Sequence, residues 1–371
     1  MKFKIPIFDL KVYDKNLKKN LINSVSNVLN HGKLFLGPEV DMLEKKLSKF
    51  LNIKYTLAVS SGSSAIFLAM KSAGIKKGDE VIVSTLTWII PVNAILMCGA
   101  IPVFADIDDN LNIDPISVNK KITKKTKAIL CMHYAGKLCN MLEIKKIAKK
   151  NKLKIFEDSA QSFGAKLSNK SSGTFSDAAG FSSNPMKPFN GYTESGFLIT
   201  NSKKIYDRAK ILRHAGTLSD YKKIVTNHCI EPSLNHKLDS VSASLLLVSL
   251  KSFKNKMKII NKYASFYELN LPNNVKFQTI SKNEVHGRYV FPIIVNQRDK
   301  LAKYLSNNGI ETKIFNLPLV YNTPFYKKFK KEKLPNAEKL IKKILIIPCH
   351  EKLNFSQIKY VTNKIIKFYS L

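Results

Sequence analysis

Three short segments of this 371-residue chain carry residue types that can do chemistry together. The first is Ser61-Gly62-Ser63-Ser64, set between an apolar run and the helical pattern Ala65–Ser72. A helix N-terminus offers free backbone N–H groups and the positive end of the dipole, which suits a phosphate, and a glycine there lets the backbone come close. The second is Glu157-Asp158-Ser159-Ala160-Gln161, at the end of the apolar run Leu153–Asp158. An acid at a strand end packs poorly in a core. Opposite a pyridine nitrogen, Asp158 would keep that nitrogen protonated and make the ring an electron sink. The third is Phe181-Ser182-Ser183-Asn184-Pro185-Met186-Lys187. From Ser182 to Gly196 charge is sparse, in a chain otherwise dense with it. A lysine held there would be partly desolvated, with a lowered pKa and an amine free to act as nucleophile and base. A lysine, a buried acid and a phosphate-sized turn are the parts of a pyridoxal phosphate site.

Each part also has an ordinary structural explanation. Serines and aspartates cap helices, so Ser63, Ser64 and Asp158 could do no more than that. Ser182 is a second candidate phosphate donor, or a small residue at a strand end. Gln161 could reach the phenolic oxygen of the ring, or be a solvated helix residue. Trp88, the single tryptophan, could stack on a cofactor ring or pack in the core. Lysine is abundant enough that Lys187 alone reads as surface. The order of these elements along the chain is far more specific than any one of them.

Seven apolar runs must position them: Thr56–Ser60, Glu80–Leu86, Pro102–Ile107, Lys127–His133, Leu153–Asp158, Ala178–Ser183 and Phe197–Thr200. Amphipathic stretches such as Val92–Cys98 and Met141–Lys150 separate them. This alternation predicts an α/β fold with a mostly parallel seven-stranded sheet and helices on both faces. Such sheets bind ligands at the carboxyl ends of their strands, where Ser61–Ser64, Thr87-Trp88 and Asp158 fall. A first helix is expected from about Lys15 to Asn30, capped by Asp14 and stopped by Gly32. A long helix should run from Asp239 to about Tyr267. Beyond it we expect a strand at His286–Val295, a helix at Asp299–Asn308, a strand at Glu311–Phe315 and a closing helix at Phe355–Tyr369. The change of texture divides the chain into a large cofactor-binding domain, 1–250, and a smaller α+β domain, 251–371.

The formal net charge is +34, which raises nucleic acid or a membrane surface as partners. Arginine occurs only at Arg208, Arg213, Arg288 and Arg298, whereas nucleic-acid readers favour its bidentate fork. The lysines are spread without a stripe, so no nucleic-acid partner is expected. No run approaches the ~20 apolar residues of a membrane span. Five cysteines show no CxxC and no metal-ligand spacing, so no metal is expected either. Their odd number and the lack of a leader segment point to a reducing cytoplasm.

In order along the chain, further segments complete a pattern. They are Leu36-Gly37-Pro38-Glu39-Val40, Gly78-Asp79-Glu80-Val81-Ile82, Gly99-Ala100-Ile101-Pro102-Val103-Phe104-Ala105-Asp106-Ile107-Asp108, Arg213-His214-Ala215-Gly216 and Asn235-His236-Lys237-Leu238-Asp239. With the three segments above and Thr87-Trp88, they resemble the DegT-type sugar aminotransferases, within the aspartate aminotransferase fold type. The resemblance covers nearly the whole chain. It implies that Lys187 forms the Schiff base with pyridoxal phosphate, and that Asp158 pairs with the pyridine nitrogen. Gln161 would meet the phenolic oxygen and Trp88 would stack on the ring. Ser63, Ser64 and Ser182 would hold the phosphate. Asn235 would reach the phosphate of a neighbouring subunit, making a homodimer with shared active sites.

The implied reaction moves an amino group from an amino acid, glutamate by resemblance, to a keto sugar, by resemblance nucleotide-linked. Its product would serve amino-sugar and surface-glycan synthesis. Two alternatives stand beside it: a sugar dehydratase or deoxygenase, and a non-catalytic regulator that binds the cofactor. The first carries a histidine in place of the lysine, so Lys187 argues against it. Departures from the pattern are Ser63 for a threonine, Lys237 for an arginine, Phe163 where histidine is common, and Glu194-Ser195-Gly196 in the loop after the lysine. Arg288 is a candidate for a substrate carboxylate or phosphate, or a strand-edge surface residue.

Overall fold

The structure, a computed structural model, describes residues 3–218 and 228–370. Seven strands build the main sheet: β1 Tyr55–Val59, β2 Glu80–Ser84, β3 Ile101–Ala105, β4 Thr126–Met132, β5 Lys154–Asp158, β6 Ala178–Ser182 and β7 Gly196–Thr200. Their order is β1-β7-β6-β5-β4-β2-β3. Strands β2 to β6 pair in parallel, and β7 runs antiparallel to both β1 and β6. The α/β architecture read from the sequence is the one observed.

Successive side chains of a strand point to opposite faces, so a sheet covered on both sides needs apolar residues at both parities. That is what the strands carry. Val81, Val83, Ala128, Leu130 and Phe156 join one apolar cluster, while Ile82, Ile129, Cys131 and Ile155 join another. On the far strands Ala58, Ala179, Phe181 and Phe197 enter a third cluster, shared with the long helix. Among the described residues, no helix is long and apolar enough to cross a membrane.

Helix Gly62–Ser72 lies against β6 and β7, and glycines set how close it comes. A Cβ on Gly180 would stand 2.8 Å from the Ile66 nitrogen, and one on Gly196 2.5 Å from the Ser61 carbonyl carbon. The first turn of this helix therefore rests directly on the strand backbones. Helix Lys15–His31 starts at Asp14, whose carboxylate accepts the Asn16 and Leu17 amides, and stops at Gly32 with φ 67°. Asp239 caps the long helix Ser240–Asn270, which runs through residue 250 unbroken. This helix packs on Lys15–His31 and Pro38–Leu51.

The C-terminal part differs in detail from expectation. Its sheet has three antiparallel strands, Lys276–Phe277, Phe291–Ile294 and Ile344–Ile347. Glu311–Phe315 is no strand: Lys313 makes an isolated bridge to Ile346, and the chain turns at Asn316 with φ 62°. The strand expected from His286 begins only at Phe291. Before it, Gly287 and Tyr289 donate their amides to Gly136 and Ala135 at 2.9 and 3.0 Å, with Arg288 at φ 47° between them. Those residues are bound to the loop after β4 rather than to a neighbouring strand.

The close approach at Gly180 is testable. Gly180→Ala should cost about 1–3 kcal/mol, because the methyl meets backbone that cannot rotate away. Chemical denaturation of the purified variant measures it, and a midpoint equal to that of the wild type would refute the packing argument.

Candidate active site

Two adjacent acids end β5 and do different work. Glu157 is fully buried; its Oε2 accepts the Gly173 amide at 2.8 Å and its Oε1 the Phe175 amide at 2.9 Å. The Oε2 also accepts from His133 Nε2 at 2.8 Å, because His133 Nδ1 takes the Cys139 amide at 3.1 Å and the ring proton sits on the other nitrogen. All the bonding of Glu157 goes into locking the strand end. Asp158 is 9% exposed, and its Oδ1 accepts the Ala160 amide at 3.1 Å. Burial raises its carboxyl pKa, opposed by that amide and by the charge of Lys187.

Lys187 follows β6 in a loop held at several points. The Ser183 amide donates to Ser195 O at 2.8 Å, the Gly191 amide to Ser183 O at 2.9 Å and the Lys187 amide to Asn184 O at 2.8 Å. Phe189, two residues on, is buried and stacks on Phe163 with ring centroids 4.5 Å apart. Phe163 also packs on Phe50 and Phe253, so its place is an apolar cluster that pins the loop. Glu194 takes a hydrogen bond from the Asn184 amide group. The Lys187 amine sits 4.3 Å from the centre of the Tyr289 ring. Burial brings its pKa down to about 8, with the charges of Asp158 and Glu194 working upward.

The serine turn caps helix Gly62–Ser72. Ser61 accepts the Ser64 amide at 3.1 Å. A Cβ on Gly62 would meet Ser182 Cβ at 2.6 Å, so the turn and the end of β6 touch. Ser63 is exposed at this turn. Ser64 is buried, and its hydroxyl is engaged with Ser60 at 3.1 Å and His236 Nδ1 at 2.9 Å. Ser182 accepts the Asn184 amide at 3.3 Å.

Gln161 accepts the Ala135 amide through its Oε1 at 2.7 Å, which leaves the Nε2 hydrogens as donors. Trp88 stands at the N-cap of helix Ile89–Met97 and is 58% exposed. Asn235 is exposed, and its Oδ1 accepts the Lys237 amide at 3.3 Å. Its neighbour His236 lies beside the serine turn, yet Asn235 itself is not drawn into the group around Lys187. Lys237 Nζ lies 2.7 Å from His214 Nδ1. Arg288 is not at the surface: it is 6% exposed and donates to Glu268 at 2.7 Å, while its buried Nε has no partner among the described residues.

Sequence reasoning missed the opposite wall. Tyr289 packs with Phe8 and Phe315 in a cluster of three rings, their centroids 6.0 to 6.5 Å apart. His350 lines the same cleft as Lys187 and Tyr289. These residues come from distant parts of the chain with no local pattern to mark them.

The residues present fit pyridoxal phosphate. A buried carboxylate suits a pyridine N–H, a spare amide donor suits a phenolate oxygen, and a helix start resting on Ser182 suits a phosphate. An amine whose pKa is brought down to about 8, so that it gives up its proton far more readily than a solvated lysine, suits an aldehyde carbon.

The comparisons with known proteins agree. A "Pleiotropic regulatory protein" of Geobacillus stearothermophilus is 32% identical, over 98% of each chain. The dTDP-3-amino-3,6-dideoxy-alpha-D-galactopyranose transaminase of Aneurinibacillus thermoaerophilus is 30% identical, over 98% of this chain and 99% of its own. Among solved structures, NtdA from Bacillus subtilis with bound cofactor PMP superposes with a TM-score of 0.92, at 26% identity over 99% of this chain and 86% of the other. The family model of the DegT/DnrJ/EryC1/StrS aminotransferase family matches residues 15–366, and the chain belongs to that family, which depends on pyridoxal phosphate.

Proposed function

We propose that this protein is a pyridoxal-phosphate-dependent aminotransferase that passes an amino group from an amino acid, glutamate first, to a nucleotide-linked keto sugar. The observation that carries the reading is the partly buried, desolvated amine of Lys187 within the field of the buried carboxylate of Asp158. The transaminase name of the Aneurinibacillus relative supports the sugar acceptor.

When bound, the cofactor supplies an electron sink for the pair left at the donor's α-carbon. Lys187 Nζ is its covalent anchor. Released from that anchorage, Lys187 Nζ would carry the proton from the donor's α-carbon to C4′ of the cofactor, and in the second half of the cycle from C4′ to the acceptor carbon. Asp158 keeps the proton on the pyridine nitrogen. Gln161 Nε2 donates to the phenolic oxygen. Ser63, Ser64 and Ser182, with the amides of the first helical turn, hold the phosphate, and Trp88 covers the ring face. The site lies in the larger part of a chain that we divide at residue 250, and the smaller part supplies Tyr289 and His350 to its wall.

A homodimer belongs to the same reading. Asn235 is exposed in the single chain, and so are the large apolar side chains of Trp88, Ile89, Met97 and Leu234. A second copy would cover them and bring Asn235 to its phosphate. A reducing cytoplasm is supported by five cysteines that are all free, four of them buried. The name of the Geobacillus relative favours a second reading, a cofactor-binding regulator without turnover. Turnover with L-glutamate separates the two.

Wild-type protein loaded with the cofactor should show a visible absorption band that L-glutamate bleaches. Borohydride should fix the cofactor to Lys187, and Lys187→Ala should take up none covalently; a reduced adduct on the variant would refute the anchor. Asp158→Asn should retain the cofactor while kcat falls by about 10²–10³-fold, the usual range for a lost electrostatic stabiliser. Unchanged turnover would remove Asp158 from the chemistry.

The pH dependence has a definite sign. Burial penalises the ammonium form, so Lys187 in the cofactor-free protein should be half neutral at about 8, against 10.5 for a solvated lysine. The charge of Asp158 favours the ammonium, so Asp158→Asn should move the midpoint below that of the wild type. Acylation of the Lys187 peptide against pH, read by mass spectrometry, measures both, and a wild-type midpoint near 10 would contradict the burial.

A further inference from the structure

The cleft beside Lys187 is lined by residues 7–10, 185–188, 288–290 and 349–351, with Lys256 from the long helix. Its charged groups are mostly committed. Arg288 pairs with Glu268 at 2.7 Å and Lys256 with Glu351 at 3.5 Å. Asp9 accepts the Lys11 amide at 3.0 Å and the Tyr13 hydroxyl at 2.9 Å. Apart from Lys187, each cation of the cleft already faces a carboxylate, and only the buried Nε–H of Arg288 is left without a partner among the described residues. Phe8 and Tyr289, stacked at 6.0 Å and 27°, give the cleft an aromatic wall.

His350 brings an uncommitted acceptor to the same cleft. It is 9% exposed, and its Nε2–H donates to Pro6 O at 3.1 Å. The ring proton is thereby assigned to Nε2, and Nδ1 is left with an acceptor lone pair. Among the described residues this buried Nδ1 has no hydrogen-bond partner. Burial lowers the pKa of the ring, which keeps it neutral. A buried acceptor without a donor is costly, and native structures keep one where something else supplies the donor. A neutral imidazole acceptor rejects carboxylates and phosphates, and takes an O–H. Together with an aromatic face, it fits a neutral, hydroxyl-bearing ring.

We propose that His350 Nδ1 accepts a hydrogen bond from a ring hydroxyl of the keto sugar, which makes His350 a specificity-determining residue. The proposal rests on the sugar-transaminase reading. It gives His350 two separable jobs: Nε2 ties down the N-terminal segment at Pro6, and Nδ1 reads the substrate.

Two substitutions part them. His350→Gln places an amide N–H where Nε2 lies and removes the acceptor at Nδ1. His350→Asn places an amide oxygen where Nδ1 lies and removes the bond to Pro6. UDP-, GDP- and dTDP-glucose serve as probes, titrated calorimetrically into cofactor-loaded protein, with thermal melting run alongside. The wild type should bind at least one probe. His350→Gln should weaken that binding about tenfold, the worth of one good hydrogen bond, with little change in melting. His350→Asn should bind within about twofold of the wild type and melt lower. Wild-type affinity in His350→Gln, or equal weakening in both variants, would overturn the assignment. Failure of every probe with the wild type would instead strike the nucleotide-sugar reading beneath it, and bleaching by L-glutamate would still report separately on transamination.

Discussion

The desolvation of one partly buried amine within the field of a buried carboxylate is the constraint that organises this molecule. An ammonium is expensive to desolvate, and a protein that buries a lysine either pairs it or lowers its pKa. Here both happen in part. Asp158 and Glu194 pull the pKa of Lys187 upward, burial pulls it further down, and the balance leaves the amine near its neutral point at about 8. Asp158 experiences the mirror image, with burial raising it and Lys187 opposing. Neither group could hold this state on a solvated surface.

Keeping the two groups there takes more structure than the groups themselves. Asp158 is fixed because its neighbour Glu157 is locked by two amides and by His133. The Lys187 loop is fixed because Phe189 is driven into an aromatic cluster built on Phe163. That gives the departure at Phe163 a physical account. The ring lies in apolar packing, away from the polar chemistry, and its contribution is mechanical. The glycines at 62, 180 and 196 do the same for the phosphate-sized turn, since side chains there would lift the helix off the strands.

The far wall shows another kind of dependence. The N-terminal segment is tied to the C-terminal part by the Ile7 amide on Glu311 at 2.9 Å, by His350 on Pro6 and by Lys352 on the Asp9 carbonyl at 2.6 Å. Residues more than three hundred positions apart therefore share one surface of the cleft. Arg288, a candidate for a substrate anion, pairs with Glu268 in that wall and keeps its Nε–H free of a partner among the described residues.

What was legible in the sequence were features encoded locally. Alternating apolar runs set the seven-stranded sheet, because strand and helix periods differ. Asp14, Gly32 and Asp239 marked helix ends, because caps act within one turn. The order of the lysine, acid and serine segments marked a pyridoxal phosphate site, because each sits at a strand end. The C-terminal part was read less well. Glu311–Phe315 has the composition of a strand, but the pairing edge it needed is used by a single bridge at Lys313, and the third strand is Ile344–Ile347. The partners of Arg288, the stacking of Tyr289 on Phe8 and the two faces of His350 depend on contacts between remote segments. Such contacts exist only once the chain has collapsed around its core. The sequence by itself determined the strand-and-helix framework and which side chains could do chemistry. Only the tertiary structure decided which of them are desolvated, which are already paired, and which still have a lone pair to offer a substrate, because burial and pairing are properties of packed neighbours and not of residues.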